Sequence, residues 1–322
     1  MAPQTPVKII LGTHTLGDKA LDPGIAHFDT PSEVNALLDA FHARGYQDLD
    51  TARDYPPTMH GGSETRLGLA GASSRFTVHS KVHNGPGEHA AANITGSIAK
   101  SLADLQTASV QTMFLHVPDR TTPFAETAGA MNDAVQKGQV KAFGLSNYTA
   151  AEVREIVDIC ADKGYAKPSV YQGHYNAISR SGEKELFPVL RELGIAFFAY
   201  SAAAGGFFSG SSTTARWKSD NLIGGLYSSF YAKQPLQDSV SIVADAAAKH
   251  GINGHAAAIR WTAFHSVLDG KYGDAVLFGC STVEQLHKTL DALEAGPLPE
   301  ELAEAMSAVY ATVEGSEPPY HL

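Results

Sequence analysis

Cysteine is almost absent from this sequence: Cys160 and Cys280 are the only two in 322 residues. Two thiols so far apart give no disulfide framework, and their scarcity fits a reducing compartment. No apolar run is long enough to span a bilayer. The start, "MAPQTPVKII", lacks the charged region and apolar core of a signal peptide. Basic runs are missing too, and a formal net charge of −10 with a pI near 5.7 argues against a nucleic-acid-binding surface. No GxGxxG follows the first apolar run, so the main signature of the doubly wound dinucleotide fold is lacking. Among the 14 histidines no pair combines HxxxH or HxH spacing on one element with an acidic partner, so no metal site is expected. The expectation is a cytoplasmic protein without nucleic-acid or membrane partners. Asn93-Ile-Thr95 and Asn147-Tyr-Thr149 match the glycosylation pattern and are read as chance matches.

What is present is alternation. Eight short runs rich in apolar and β-branched residues read as buried strands: 8–12, 46–50, 76–80, 112–116, 140–146, 169–175, 195–200 and 275–280. Helical patterns lie between them. "PSEVNALLDAFHARG" is expected to start with a Ser32 cap and stop at Gly45. "TAAEVREIVDICADKG" starts at Thr149 and stops at Gly164, and "EKELFPVLRELG" stops at Gly194. Strands alternating with helices, with no break in composition, predict one (β/α)8 TIM barrel over 1–322. A long Gly/Ser-rich loop is expected between strands 7 and 8, where "SAAAGGFFSGSSTTARWKSDNLIGGLYSSFYAKQPL" interrupts the spacing.

In such a barrel chemistry is done at the C-terminal ends of the strands. Asp50 and Tyr55 follow the second strand in "LDTARDYP", Lys81 ends the third and His116 ends the fourth. Taken singly, each of these residues is more often structural or solvated than catalytic. Together they deliver an acid, a phenol, an ammonium and an imidazole to one rim. A free phenol has a pKa near 10 and is a poor acid at neutral pH. A nearby ammonium favours the phenolate, and a carboxylate keeps that ammonium charged and in place. The imidazole orients a carbonyl oxygen or helps deliver the proton. The set suits protonation of a carbonyl oxygen while a hydride reaches its carbon.

At this point the sequence resembles the aldo-keto reductases over nearly its whole length. "DTARDY", "HSK" and "FLHVPD" look like that family's catalytic tetrad segments, and "GLSNY" like its strand-five signature. The stretches 171–206 and 273–290 look most like the aflatoxin-aldehyde reductase branch. The resemblance implies an NADPH-dependent reductase of small carbonyl substrates with catalytic Asp50, Tyr55, Lys81 and His116. It implies that Ser146, Asn147 and Gln172 bind the nicotinamide carboxamide and that Tyr200 stacks on the ring. Loops after strands 7 and 8 are the usual phosphate site of barrels. Here they hold Ser201, Gly205 and Gly206, then Gly279, Ser281, Thr282, Gln285 and Lys288, with Glu284 expected at the capping-box end. Ser201-Ala202-Ala203 replaces the branch's Asn-Pro-Leu, Thr289 stands where Asn is usual, and the family's common Lys falls at or near Gly279. Arg120 replaces a frequent His. The branch is often dimeric, which makes a homodimer an expectation.

Substrate contacts are expected from Tyr55, the segment after Lys81, the insertion from Arg216 to Tyr231, and the tail "EGSEPPYHL", which could equally be a disordered terminus. The alternative function is a cofactor-sensing regulatory barrel of the channel β-subunit type. A metal-dependent barrel hydrolase and a Schiff-base aldolase using Lys81 are weaker. An acid beside that lysine opposes the neutral amine an aldolase needs.

Overall fold

A computed structural model of the chain describes residues 5–209, 225 and 228–322. Eight parallel strands close a barrel in chain order: β1 Lys8–Gly12, β2 Asp48–Asp50, β3 Thr77–Lys81, β4 Val110–Leu115, β5 Val140–Ser146, β6 Val170–His174, β7 Ala196–Tyr200 and β8 Ala275–Gly279. Pairing of Gly12 with both Asp50 and Gly279 shuts the sheet on itself. Helices cover the outside: α1 Pro31–Ala43, α2 Gly62–Leu69, α3 Ala91–Asp104, α4 Phe124–Gln136, α5 Ala150–Lys163 and α6 Gly182–Leu193. After β7 come α7 Gln234–Ala248 and α8 Gly254–Phe264, and after β8 come α9 Val283–Glu294, α10 Glu300–Ala308 and α11 Tyr310–Val313. The fold is the predicted TIM barrel. Most of the long loop expected after strand 7, with Arg216, Trp217, Lys218 and Tyr227, lies outside the described residues.

Local chemistry explains the helix starts, with one correction. Helix α1 is capped by Thr30, not Ser32. The Thr30 hydroxyl accepts from the Glu33 N–H and Glu33 returns the bond, while Pro31 takes the first helical position, where its missing N–H costs nothing. Thr149 caps α5 in the same reciprocal way with Glu152, as expected. Gly164 and Gly194 end α5 and α6 in the left-handed conformation.

Period-two alternation sorts the strand residues. Leu49, Val78, Met113, Leu145, Tyr171, Phe197 and Val276 join the large core between sheet and helices. Their neighbours Ile10, Phe114, Val170, Phe198 and Leu277 fill the barrel interior. Gly144 leaves the space that the Phe114 ring occupies. The same alternation puts Asp50, Lys81, Ser146, Gln172 and Tyr200 on the inward side at the C-terminal end of their strands. Register confirms the layer: Ser146 pairs with Gln172, and His174 with Tyr200.

Candidate active site

A cavity of about 500 Å³ opens at this end of the barrel. Asp50, Tyr55, His116, Ser146, Asn147, Gln172, Tyr200, Ser201, Gly205, Gly206 and Gly279 all line it. Lys81 lies beneath it, buried, with its Nζ 2.5 Å from Asp50 Oδ1 and 2.8 Å from the Thr51 carbonyl oxygen. The same ammonium stands 4.6 Å from the centroid of the Tyr55 ring. Burial pulls the Lys81 pKa below its usual value, and the Asp50 carboxylate opposes that fall. Gln172 Nε2 donates to the other Asp50 oxygen at 2.8 Å, so both oxygens are held. The rings of Tyr55 and His116 meet edge to face at 5.7 Å. His116 lies one residue past β4 rather than at its end. Its Nδ1 is 3.6 Å from Asp54 Oδ2, and burial lowers its pKa.

The amide groups expected at a nicotinamide are also joined to one another. Asn147 sits at φ 66°, a left-handed conformation that Asn tolerates. It donates to the His116 carbonyl oxygen and to Ser146 Oγ, both at 3.0 Å, and accepts from the Tyr200 hydroxyl at 2.9 Å. The Tyr200 ring packs nearly parallel to His174 at 5.5 Å. His174 is buried, its pKa is pushed down to about 4 by burial, and its Nε2 is 3.0 Å from the Tyr231 hydroxyl. Ala204, Gly205 and Gly206 run through the left-handed region in succession, which explains the glycine pair.

The phosphate-site cluster expected after strand 8 stands differently. Ser281, Thr282, Gln285 and Lys288 do not line the cavity. Thr282 caps α9 by accepting from the Gln285 N–H, and the Gln285 side chain accepts from the Ser281 N–H at 2.8 Å. The returning side chain is thus Gln285, not Glu284, because Gln285 is the third helical residue. Glu284 instead pairs with Lys288 at 2.7 Å, both exposed. Thr289 is buried with its hydroxyl 3.1 Å from His255.

Asn84 and Leu322 also line the cavity, from the segment after Lys81 and the tail that were named as candidates, whereas His14, Asp54, His60 and His255 were not singled out from sequence. Asp54 carried the one available signal, since it adjoins Tyr55 inside "DTARDY". It accepts from the Asn84 N–H and side-chain amide at 2.9 and 2.7 Å and lies 2.5 Å from His83 Nδ1. Burial alone would raise its pKa, but His116 and His83 hold it well below the usual carboxylate range. The tail is explained by Arg120, which had no account from sequence. Its guanidinium donates to Glu152 and, at 2.8 Å, to the main-chain oxygen of Leu322, whose N–H donates to the Asn147 carbonyl oxygen. His14, T-shaped to Tyr55 at 5.1 Å, completes the aromatic wall.

The sequence model of the Aldo/keto reductase family matches residues 8–311. An aldo-keto reductase of Pseudocercospora fijiensis (strain CIRAD86) is 36% identical over 297 residues, covering 88% of this chain and 99% of that protein. The oxidoreductase sirO of Leptosphaeria maculans is 33% identical over 329 residues, covering 99% and 98%. Human aflatoxin B1 aldehyde reductase member 2 is 34% identical over 336 residues, covering 99% and 90%. Among the described residues no helix is long and apolar enough to cross a membrane. The barrel, the cavity at its C-terminal rim and these matches agree, and the chain belongs to the aldo/keto reductase family of NAD(P)H-dependent oxidoreductases.

Proposed function

We propose that this chain reduces small aldehydes and ketones to alcohols with NADPH, using Tyr55 as the general acid. The observation that carries the reading is the Lys81 ammonium held 4.6 Å from the Tyr55 ring centroid by a buried Asp50. When bound, the nicotinamide supplies the hydride. The Tyr55 hydroxyl gives its proton to the carbonyl oxygen, and Lys81 stabilises the phenolate left behind. Asp50 keeps Lys81 charged and aimed, and Gln172 keeps Asp50 in place. His116, with Nδ1 turned to Asp54, offers its other nitrogen to orient the carbonyl. Relatives named as aflatoxin B1 aldehyde reductases support aldehydes as the substrate class.

The residues present fit a nicotinamide dinucleotide at its ring end. Ser146, Asn147 and Gln172 bring hydroxyl and amide groups to one wall, beside the flat Tyr200 ring. The left-handed turn Ala204–Gly206 is a backbone surface suited to phosphate. Preference for NADPH rests on Ser281, Thr282, Gln285 and Lys288 beyond Gly279, where a 2′-phosphate would meet hydroxyls, a helix N-terminus and a cation. Absorbance assays with a panel of aldehydes and ketones test the reading. Consumption of NADPH with aldehydes is expected, at a kcat/KM at least about tenfold above that with NADH, since one charge-assisted bond is worth about 1.5–3 kcal/mol. A preference for NADH, or no turnover across the panel, would overturn it.

A further inference from the structure

We propose that Asp54, His60 and His83 form a binding site for a divalent transition-metal ion of the zinc class at the mouth of the cavity, and that its occupation slows turnover. The site shares no ligand with the tetrad, although Asp54 also faces His116, and its binding test does not depend on the role assigned to Tyr55.

Two loops build it. Asp54 and His60 lie between β2 and α2, and His83 follows β3. Both imidazole Nδ1 atoms converge on one carboxylate oxygen: His60 at 2.9 Å and His83 at 2.5 Å from Asp54 Oδ1. The two rings are 4.9 Å apart, and one ligand atom from each of the three residues lies within 4.8 Å of the others. Bonds of about 2.0–2.2 Å at the tetrahedral angle put two ligands on one zinc ion about 3.3–3.6 Å apart. A shift of up to about 1.5 Å in the exposed His60 side chain would therefore close the site around an ion.

Supporting groups are already placed. The second Asp54 oxygen is fixed by the Asn84 N–H and side-chain amide, and the His83 N–H donates to Ser97 Oγ at 3.1 Å. Such partners orient a ligand before metal arrives. Two imidazoles and one carboxylate favour zinc, cobalt, nickel or copper over magnesium or calcium, which prefer all-oxygen sites. The ion would take the place of the Nδ1–H groups facing Asp54, with each neutral ring then carrying its one proton on Nε2. Three protein ligands leave at least one coordination position for water. Asp54 and His60 both line the cavity, so the ion would stand on the substrate's route. It would also neutralise the carboxylate that faces His116 Nδ1 at 3.6 Å.

The test uses the untagged full chain. Titration with ZnCl₂ by calorimetry, and with CoCl₂ by visible absorbance, should show one saturable ion per chain. His60→Ala and His83→Ala should each weaken binding by about tenfold or more, and Asn84→Ala should also weaken it, since loss of a supporting group alone costs about 10–100-fold. His250→Ala, a remote histidine that faces Glu301, should bind as wild type does. Because His60 is exposed, its removal leaves the fold intact. No saturable binding, or equal affinity in wild type and His60→Ala, would overturn the site. In turnover assays one equivalent of Zn²⁺ should slow wild type, while His60→Ala keeps its own metal-free rate. Unchanged wild-type turnover at saturating Zn²⁺ would overturn the inhibitory half.

Discussion

Replacing Lys81 by Met should damage stability and chemistry together, and the two losses can be separated. Lys81 and Asp50 are almost wholly buried, with side chains 1% and 4% exposed and charges 2.5 Å apart. Removing one partner of a buried pair leaves the other charge without compensation, at a cost of about 3–5 kcal/mol. An unfolding entropy of about 2.1 cal/mol/K per residue gives roughly 0.7 kcal/mol/K for a 322-residue chain, so Tm should fall by about 4–7 °C. Adding Asp50→Asn removes the orphaned charge while the amide still accepts from Gln172. The double variant should regain about 0.5–3 kcal/mol relative to the sum of the two single changes, the range found for residues in contact. Turnover should not follow. Both variants lacking Lys81 lose the ammonium beside Tyr55 and should stay nearly inactive, while Asp50→Asn alone is affected less. Thermal unfolding of the four proteins, with NADPH-dependent reduction of one aldehyde, measures both quantities. Purely additive stabilities, or a Lys81→Met enzyme with a wild-type pH–rate profile, would refute the coupling of the buried pair to the phenol.

Tyr55→Phe removes only the hydroxyl; kcat/KM should drop by about 10²–10⁴ with cofactor binding retained, as fluorescence titration can verify. Near-normal turnover of an unactivated aldehyde would exclude the acid role. Acid stability should report His174. Its pKa is about 4 when folded and near 6.5 when unfolded, so the unfolded chain binds the extra proton between those values and stability falls as pH drops through that window. The contribution is about 3 kcal/mol, and in His174→Phe the slope of unfolding free energy between pH 6.5 and 4 should be shallower. Glu284→Gln should raise kcat/KM for NADPH a few-fold and leave NADH unchanged, because Lys288 loses its exposed partner. Lys288→Met should act in the opposite sense, and equal effects on both cofactors would detach this helix from the 2′-phosphate.

The order of elements, the barrel and the rim that carries chemistry were legible in the sequence because each rests on local information. Alternation of two fixes which strand residues turn inward, and the apolar runs and glycine stops mark where strands and helices end. That Asp50, Tyr55, Lys81 and His116 come together at one rim was legible for the same reason, since they are polar residues at the end of a strand or just past it. Boundary choices failed where two residues compete locally: Thr30 outbids Ser32 as cap because Glu33 answers it, and Gln285 rather than Glu284 occupies the third helical position of α9. What only the tertiary structure decided is partnership across distance. Arg120 reaches Leu322, which lies 202 residues away, Gln172 reaches Asp50 across the barrel, and Lys288 turns to Glu284 instead of the cavity. Asp54, His60 and His83 carry no metal-ligand spacing in the chain, yet the ends of two neighbouring strands bring them to one carboxylate oxygen. Sequence spacing constrains contacts within an element, whereas closure of the sheet determines which loop ends become neighbours.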